Sequence, residues 1–159
     1  MLMDTAATLL NAMKVSISEI FEKMFYMPVE FEEKADLESV IKSSSFMVSH
    51  ISFTGPVKGK FVALLPVPLL RSMAAGFMGT DESEVNHEEM TGTITEITNM
   101  IAGNTLTFVG GDFHLDLPEL DGQGKADQQQ EKLAENPSAS RQVFVKTLNG
   151  ILGVRFYIF

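Results

Sequence analysis

The chain has 159 residues, 45% hydrophobic and 21% charged, with a formal charge of −9 and no cysteine. That length suits one domain with a full core, and the lack of cysteine excludes disulfides, thiolate zinc sites and a cysteine nucleophile. The 12 Lys and Arg are scattered among 21 Asp and Glu, so there is no basic stripe to neutralise phosphates and nucleic acid is not an expected partner.

No stretch approaches the ~20 apolar residues that a membrane span needs. Asp4, Thr5, Lys14 and Glu19 interrupt the start, where a signal peptide would need an unbroken apolar run. A soluble, cytoplasmic protein is expected.

The first predicted element is a helix from about Asp4 to Tyr26, with apolar residues at Ala6, Leu9, Met13, Ile17, Ile20 and Met24. Asp4 or Thr5 caps it and Pro28 ends it. Alternating β-branched and aromatic residues then predict strands over Val29 to Glu33 and Ser45 to Phe53. Gly55-Pro56 is a turn signal, and Lys58 to Leu65 is the strand returning from it as a hairpin. A short helix, Leu69 to Met78, ends at Gly79, and an acidic loop leads into the longest element, a helix from about Asn86 to Phe108 with a stripe at Met90, Ile94, Ile97, Ile101 and Phe108. Phe113 to Leu117 is a candidate strand, and residues 119–140 read as a long polar loop or insertion. Gln142 to Leu148, a turn at Gly150 and Leu152 to Phe159 predict a second hairpin.

The two halves echo one another. Residues 94–108, ITEITNMIAGNTLTF, repeat the pattern of residues 17–31, ISEIFEKMFYMPVEF, and the closing GILGVRFYIF resembles GPVKGKFVAL of the first hairpin. Helix then hairpin, twice, predicts an α/β (α+β) fold: one domain over residues 1–159, internally duplicated about a pseudo-twofold axis (about 4–66 and 84–159). Its two long helices would pack on a largely antiparallel sheet.

The echo keeps one acid and changes the polar residue three positions on, giving Glu96 with Asn99 in the second copy and Glu19 with Glu22 in the first. Residues three apart on a helix are neighbours, ~5–6 Å apart at Cβ. At about 100° per residue, Glu96, Asn99, Gly92 and Gly103 point away from the apolar stripe. Two glycines in a helix cost ~1 kcal/mol each relative to alanine, and close approach of a partner backbone is a reason to keep them.

The segment Glu96-Ile97-Thr98-Asn99-Met100-Ile101-Ala102-Gly103-Asn104 resembles the signature helix of the CheC/CheX/FliY family of chemotaxis phosphatases. A single intact site out of two copies resembles the CheX branch. Gly92 stands where the motif often carries Asp or Ser, and Pro118 comes early for the proline that follows it.

The resemblance implies a phosphatase acting on the aspartyl phosphate of a phosphorylated CheY-like response regulator. Glu96 would pair with the regulator's active-site lysine, and Asn99 would orient a water in line with the phosphate. Gly92, Thr95 and Gly103 would border the contact, and Asn104 would be structural, bonding near the helix end. Mg²⁺ is expected in the regulator and no cofactor in this chain; CheX relatives are dimeric, so a homodimer is expected, through an edge such as Phe144 to Leu148 or Phe156 to Phe159. An amide suits the task, because its carbonyl accepts from water and its NH₂ donates to a phosphoryl oxygen, where a carboxylate would repel the dianion. Glu22 is for that reason expected to be inactive.

Other signals are weaker. His50, His87 and His114 lie on no metal-ligand spacing. Asp81, Glu82 and Glu84 lack the alternation of a calcium loop, Gly55, Gly59 and Gly110-Gly111 are followed by no phosphate-loop motif, and Ser43 to Ser45 have no adjacent base. Three readings stand: a phosphatase, a non-catalytic adaptor docking on a regulator or flagellar switch protein, and a purely structural homodimeric module.

Overall fold

The computed structural model describes residues 2–32, 45–124 and 136–159. Glu33, Ser43, Ser44 and the 125–135 part of the polar segment lie outside them. Helix α1 (Leu2–Glu19) continues into a wider, π-helical turn over Ile20–Met24. Strand β1 (Glu30–Glu32) precedes the hairpin of β2 (Phe46–Thr54) and β3 (Gly59–Pro66). Helix α2 (Val67–Met78), a single 3₁₀ turn (Glu82–Glu84) and the long helix α3 (His87–Val109) follow. Then come β4 (His114–Leu115), β5 (Glu119–Gly124), β6 (Ala139–Thr147) and β7 (Gly150–Ile158).

The sheet runs β1-β6-β7-β3-β2-β4, with β5 also pairing β2, and every pair is antiparallel. The order is symmetric about the β7–β3 pair: each half contributes a hairpin, and the short strand after each long helix crosses to the other half's hairpin. Met47, Ile51, Phe53, Phe61, Ala63, Leu65, Val143, Val145, Leu152, Val154, Phe156 and Ile158 form the sheet side of the main core. Above them lie the buried faces of α1, α2 and α3, and α3 packs on β2 and β3. Val48, Val62 and Tyr157 cluster on the other face.

The first helix departs from expectation at both ends. It starts at Leu2, so Asp4 and Thr5 lie inside its first turn and are not its caps. Ala6, Leu9, Met13, Ile17 and Ile20 are buried as the spacing predicts, but Met24 is exposed. The π-helical turn is the reason, since its wider winding advances each residue less about the axis and turns Phe21, not Met24, into the core.

The polar segment also differs. Residues 119–124 are a strand that pairs with β2 through a bulge between Val48 and Ser49, and residues 139–140 already belong to β6. An outer strand needs only backbone pairing on one side, so a polar run qualifies. Cross-strand partners fix it: His50 Nδ1 lies 2.5 Å from Asp121 and Nε2 lies 3.5 Å from Glu119. Phe113 to Leu117 shrinks to the two residues of β4. The suggested edges are not edges, because β7 lies between β6 and β3, and β1 covers β6 at Phe144 to Lys146. The outer strands are β1 on one side and β4 with β5 on the other.

Beside the bulge, Ser49 Oγ is buried with no hydrogen-bond partner among the described residues. An unpaired buried hydroxyl keeps its desolvation penalty, so Ser49→Ala is expected to stabilise the protein by about 1 kcal/mol. Urea unfolding measures this, and a destabilisation of that size would show that the hydroxyl has a partner.

Candidate functional site

The candidate site lies on α3, and the helix is held at a fixed rotation by both its start and its buried face. Asn86 caps it, accepting from the Glu89 N–H at 2.8 Å while Glu89 Oε1 accepts from the Asn86 N–H at 3.2 Å. Val85 and Met90, flanking that cap, are buried. Gly110, at φ 78°, closes the other end with its N–H on the Leu106 carbonyl at 3.0 Å.

Between these ends α3 divides into four rows with residues four apart. The rows 90-94-98-102-106 and 93-97-101-105 are buried; 91-95-99-103 is half-buried and 92-96-100-104-108 lies outermost, although its Met100 is half-buried against the core. The buried stripe therefore follows two adjacent i, i+4 rows, and Phe108, expected in the core, is 50% exposed. Fixed-period spacing misplaces it because a row of fours turns about 40° per step, at about 100° per residue.

Three threonines sit on the buried rows, and each satisfies its hydroxyl on the preceding turn: Thr93 on Glu89 O, Thr98 on Ile94 O and Thr105 on Ile101 O, at 2.8, 2.7 and 2.6 Å. Ser16 of α1 also donates to Ile101 O, at 3.2 Å in the core. This buried bond ties α1 to α3 two residues from Asn99.

The outer rows carry the residues singled out in the sequence. Glu96 is exposed and Asn99 half-buried on the adjoining row, and neither side chain makes a hydrogen bond or ion pair among the described residues. An acid and an amide are thus presented side by side with their polar atoms uncommitted. A Cβ added at Gly92 would meet nothing within 4 Å, whereas one at Gly103 would lie 3.8 Å from Leu115 Cδ1. The ridge is open at its N-terminal end and bordered by β4 at its C-terminal end. Thr95 spends its hydroxyl proton within the helix, on the carbonyls of Thr91 and Gly92 at 2.9 and 3.0 Å. Asn104 is not a helix-end bond: the helix runs on to Val109, and its side chain is exposed with no hydrogen bond among the described residues.

The first copy is built differently. Glu19 ends α1 and pairs with Lys23 at 3.6 Å, while Glu22 is exposed in the π-helical turn. The two acids therefore lack the regular spacing that sets Glu96 beside Asn99, and one of them is engaged. Among the described residues no three His, Cys, Asp or Glu gather in a way that could hold a metal ion, and no helix is long and apolar enough to cross a membrane.

The model of a family described as chemotaxis phosphatase CheX matches residues 47–142, more than half of the chain and including the whole of α3. No curated protein matches by sequence. Among solved structures, the chain is similar to the chemotaxis protein CheX of Vibrio vulnificus at 17% identity, with a TM-score of 0.75 over 95% of this chain and 96% of that one. A chemotactic CheC-like protein of Shewanella oneidensis is 18% identical with a TM-score of 0.70 over all of both chains. A chain of the CheX-CheY-BeF3-Mg complex of Borrelia burgdorferi is 16% identical with a TM-score of 0.64 over 94% of this chain and 96% of that one. The family match, over a fold of the same architecture, places this chain in the CheX family of chemotaxis phosphatases.

Proposed function

We propose that this protein is a phosphatase that hydrolyses the aspartyl phosphate of a CheY-like response regulator, with Glu96 and Asn99 as the residues that act on it. The observation that carries the reading is the pairing of an exposed acid and an uncommitted amide on the outer rows of a rigidly held helix. The family match and a relative solved in complex with CheY support it. In the reaction, a water oxygen bonds to phosphorus as the acyl P–O bond breaks, releasing phosphate and returning the aspartate as a carboxylate.

An acyl phosphate is already activated and its transition state is loose, so positioning and electrostatics supply most of the acceleration. Asn99 accepts from the attacking water and donates to a phosphoryl oxygen. Glu96 pairs with the regulator's active-site lysine and sets the register of the helix. Mg²⁺ is the regulator's, Gly92, Thr95 and Gly103 line the contact, and the reaction is cytoplasmic. A homodimer belongs to the same reading, through β1 or β5; a monomeric mass by sedimentation would remove it.

The test mixes the protein and Mg²⁺ with acyl-phosphorylated CheY-like regulators and follows loss of phosphate. Acceleration that needs Asn99 supports the phosphatase, whereas binding without acceleration leaves a non-catalytic adaptor.

Gly92 provides a second test. Its site has room for a methyl group, so Gly92→Ala is expected to stabilise the helix by about 1 kcal/mol. If a regulator backbone approaches this ridge, the same change raises the concentration of phosphorylated regulator needed for half-maximal rate. A more stable protein with unaltered kinetics would remove Gly92 from the contact.

A further inference from the structure

Away from the acid–amide ridge, two chain segments bring exposed apolar side chains together. Phe25 and Phe77 meet edge to face with ring centroids 4.7 Å apart, and Phe21, fully buried, backs Phe25 at 6.0 Å. Around this contact Met24 is 48%, Tyr26 87%, Phe77 42% and Met78 51% exposed. Half of the large hydrophobic side chains that the described residues expose are therefore Phe77 itself or direct chain neighbours of these two rings, and clustered exposure marks interaction surfaces where scattered exposure does not.

The backbone shapes the same spot. Tyr26 holds φ at 52°, an uncommon conformation for a bulky residue, and it carries the most exposed ring. Gly76 and Gly79 flank Phe77 and Met78, and a Cβ at either would meet nothing within 4 Å. A partner's backbone has room to approach there.

Charge selects the partner. Glu22 precedes Met24 by two residues, and Asp81, Glu82 and Glu84 follow Met78, the first of them within about 10 Å by chain length. All four acids are exposed with no ion-pair partner among the described residues, and Lys23 is engaged by Glu19 at 3.6 Å. A second copy of this chain would bring the same acids against these in a two-fold contact. We propose that the Met24–Tyr26 and Phe77–Met78 surface binds a basic amphipathic segment of a partner protein, whose apolar face covers the aromatic pair while its Lys or Arg residues meet the acidic rim. This surface is independent of the phosphatase reading.

The probe is an 18-residue synthetic peptide with Leu and Phe on one helical face and Lys elsewhere, compared by fluorescence anisotropy with a scrambled peptide of the same composition and with one carrying Glu for Lys. The full-length protein is expected to bind the patterned peptide at least tenfold more tightly than either control. The double variant Tyr26→Asn and Met78→Ser, changing only exposed side chains, is expected to lose at least tenfold. The triple variant Asp81→Lys, Glu82→Lys and Glu84→Lys keeps the apolar surface and is expected to lose affinity with a flattened salt dependence. Equal binding of patterned and scrambled peptides, or affinity unchanged in the double variant, would overturn the proposal. So would self-association of the wild type that the double variant abolishes, which would make the surface a contact between copies.

Discussion

Asn99→Ala is expected to remove the acceleration of regulator dephosphorylation, on the order of 100-fold or more, the loss typical of one positioned polar group at a reacting centre. Its fold should not suffer, because the Asn99 side chain makes no hydrogen bond among the described residues and alanine is the better helix former. Asn99→Asp should be as inactive, since it keeps the shape but sets a negative charge against the phosphate. Glu96→Ala should chiefly raise the regulator concentration required, because it removes the carboxylate proposed to pair with the regulator's lysine. Glu22→Asn placed in the Asn99→Ala background should not restore activity, because the π-helical turn and the Glu19–Lys23 pair separate that copy from the active geometry. Stopped-flow or radiolabel decay of the phosphorylated regulator measures all of these. An Asn99→Ala protein retaining more than half the wild-type acceleration would sink the catalytic assignment.

The acid–amide pair was legible in the sequence because it rests on a regular helix, where spacing alone fixes which residues share a face. Both hairpins were legible for a similar reason, since runs rich in β-branched and aromatic residues flank a turn signal, Gly55-Pro56 in the first and Asn149-Gly150 in the second. What escaped the sequence was whatever broke a period. The π-helical turn inserts its extra width without any distinctive residue, so Met24 kept an apolar place in the stripe and lost it in the fold. Phe108 was misplaced by the opposite fault, a stripe drawn straight where the buried rows wind around α3. Strand β5 could not be read from ELDGQG at all, because its partners His50 and Val48 are some seventy residues away, and its pairing depends on backbone groups that composition does not record.

Phe61→Ala carries the largest expected effect on stability, about 3–5 kcal/mol. Phe61 is 1% exposed on β3, opposite Ile51 of β2 and Phe156 of β7, where the two halves of the sheet meet. A line of rings crosses the sheet through it: Phe113 to Phe53 at 5.8 Å, Phe53 to Phe61 at 5.3 Å and Phe61 to Phe156 at 6.2 Å. Removing the central ring opens a cavity that neighbours pinned by strand pairing cannot collapse to fill. Against a total of ~5–15 kcal/mol for an ordinary domain, the loss is a large share. It should appear as a lower urea midpoint at unchanged slope. Phe108→Ala, on the outer row, should shift stability by less than about 1 kcal/mol, and a reversal of the two would refute the placement of the buried rows. The same pair separates stability from chemistry: the catalytic residues proposed on α3 face outward, away from the cavity. Whatever fraction of Phe61→Ala protein is folded at low temperature should therefore dephosphorylate the regulator at the wild-type rate per folded molecule.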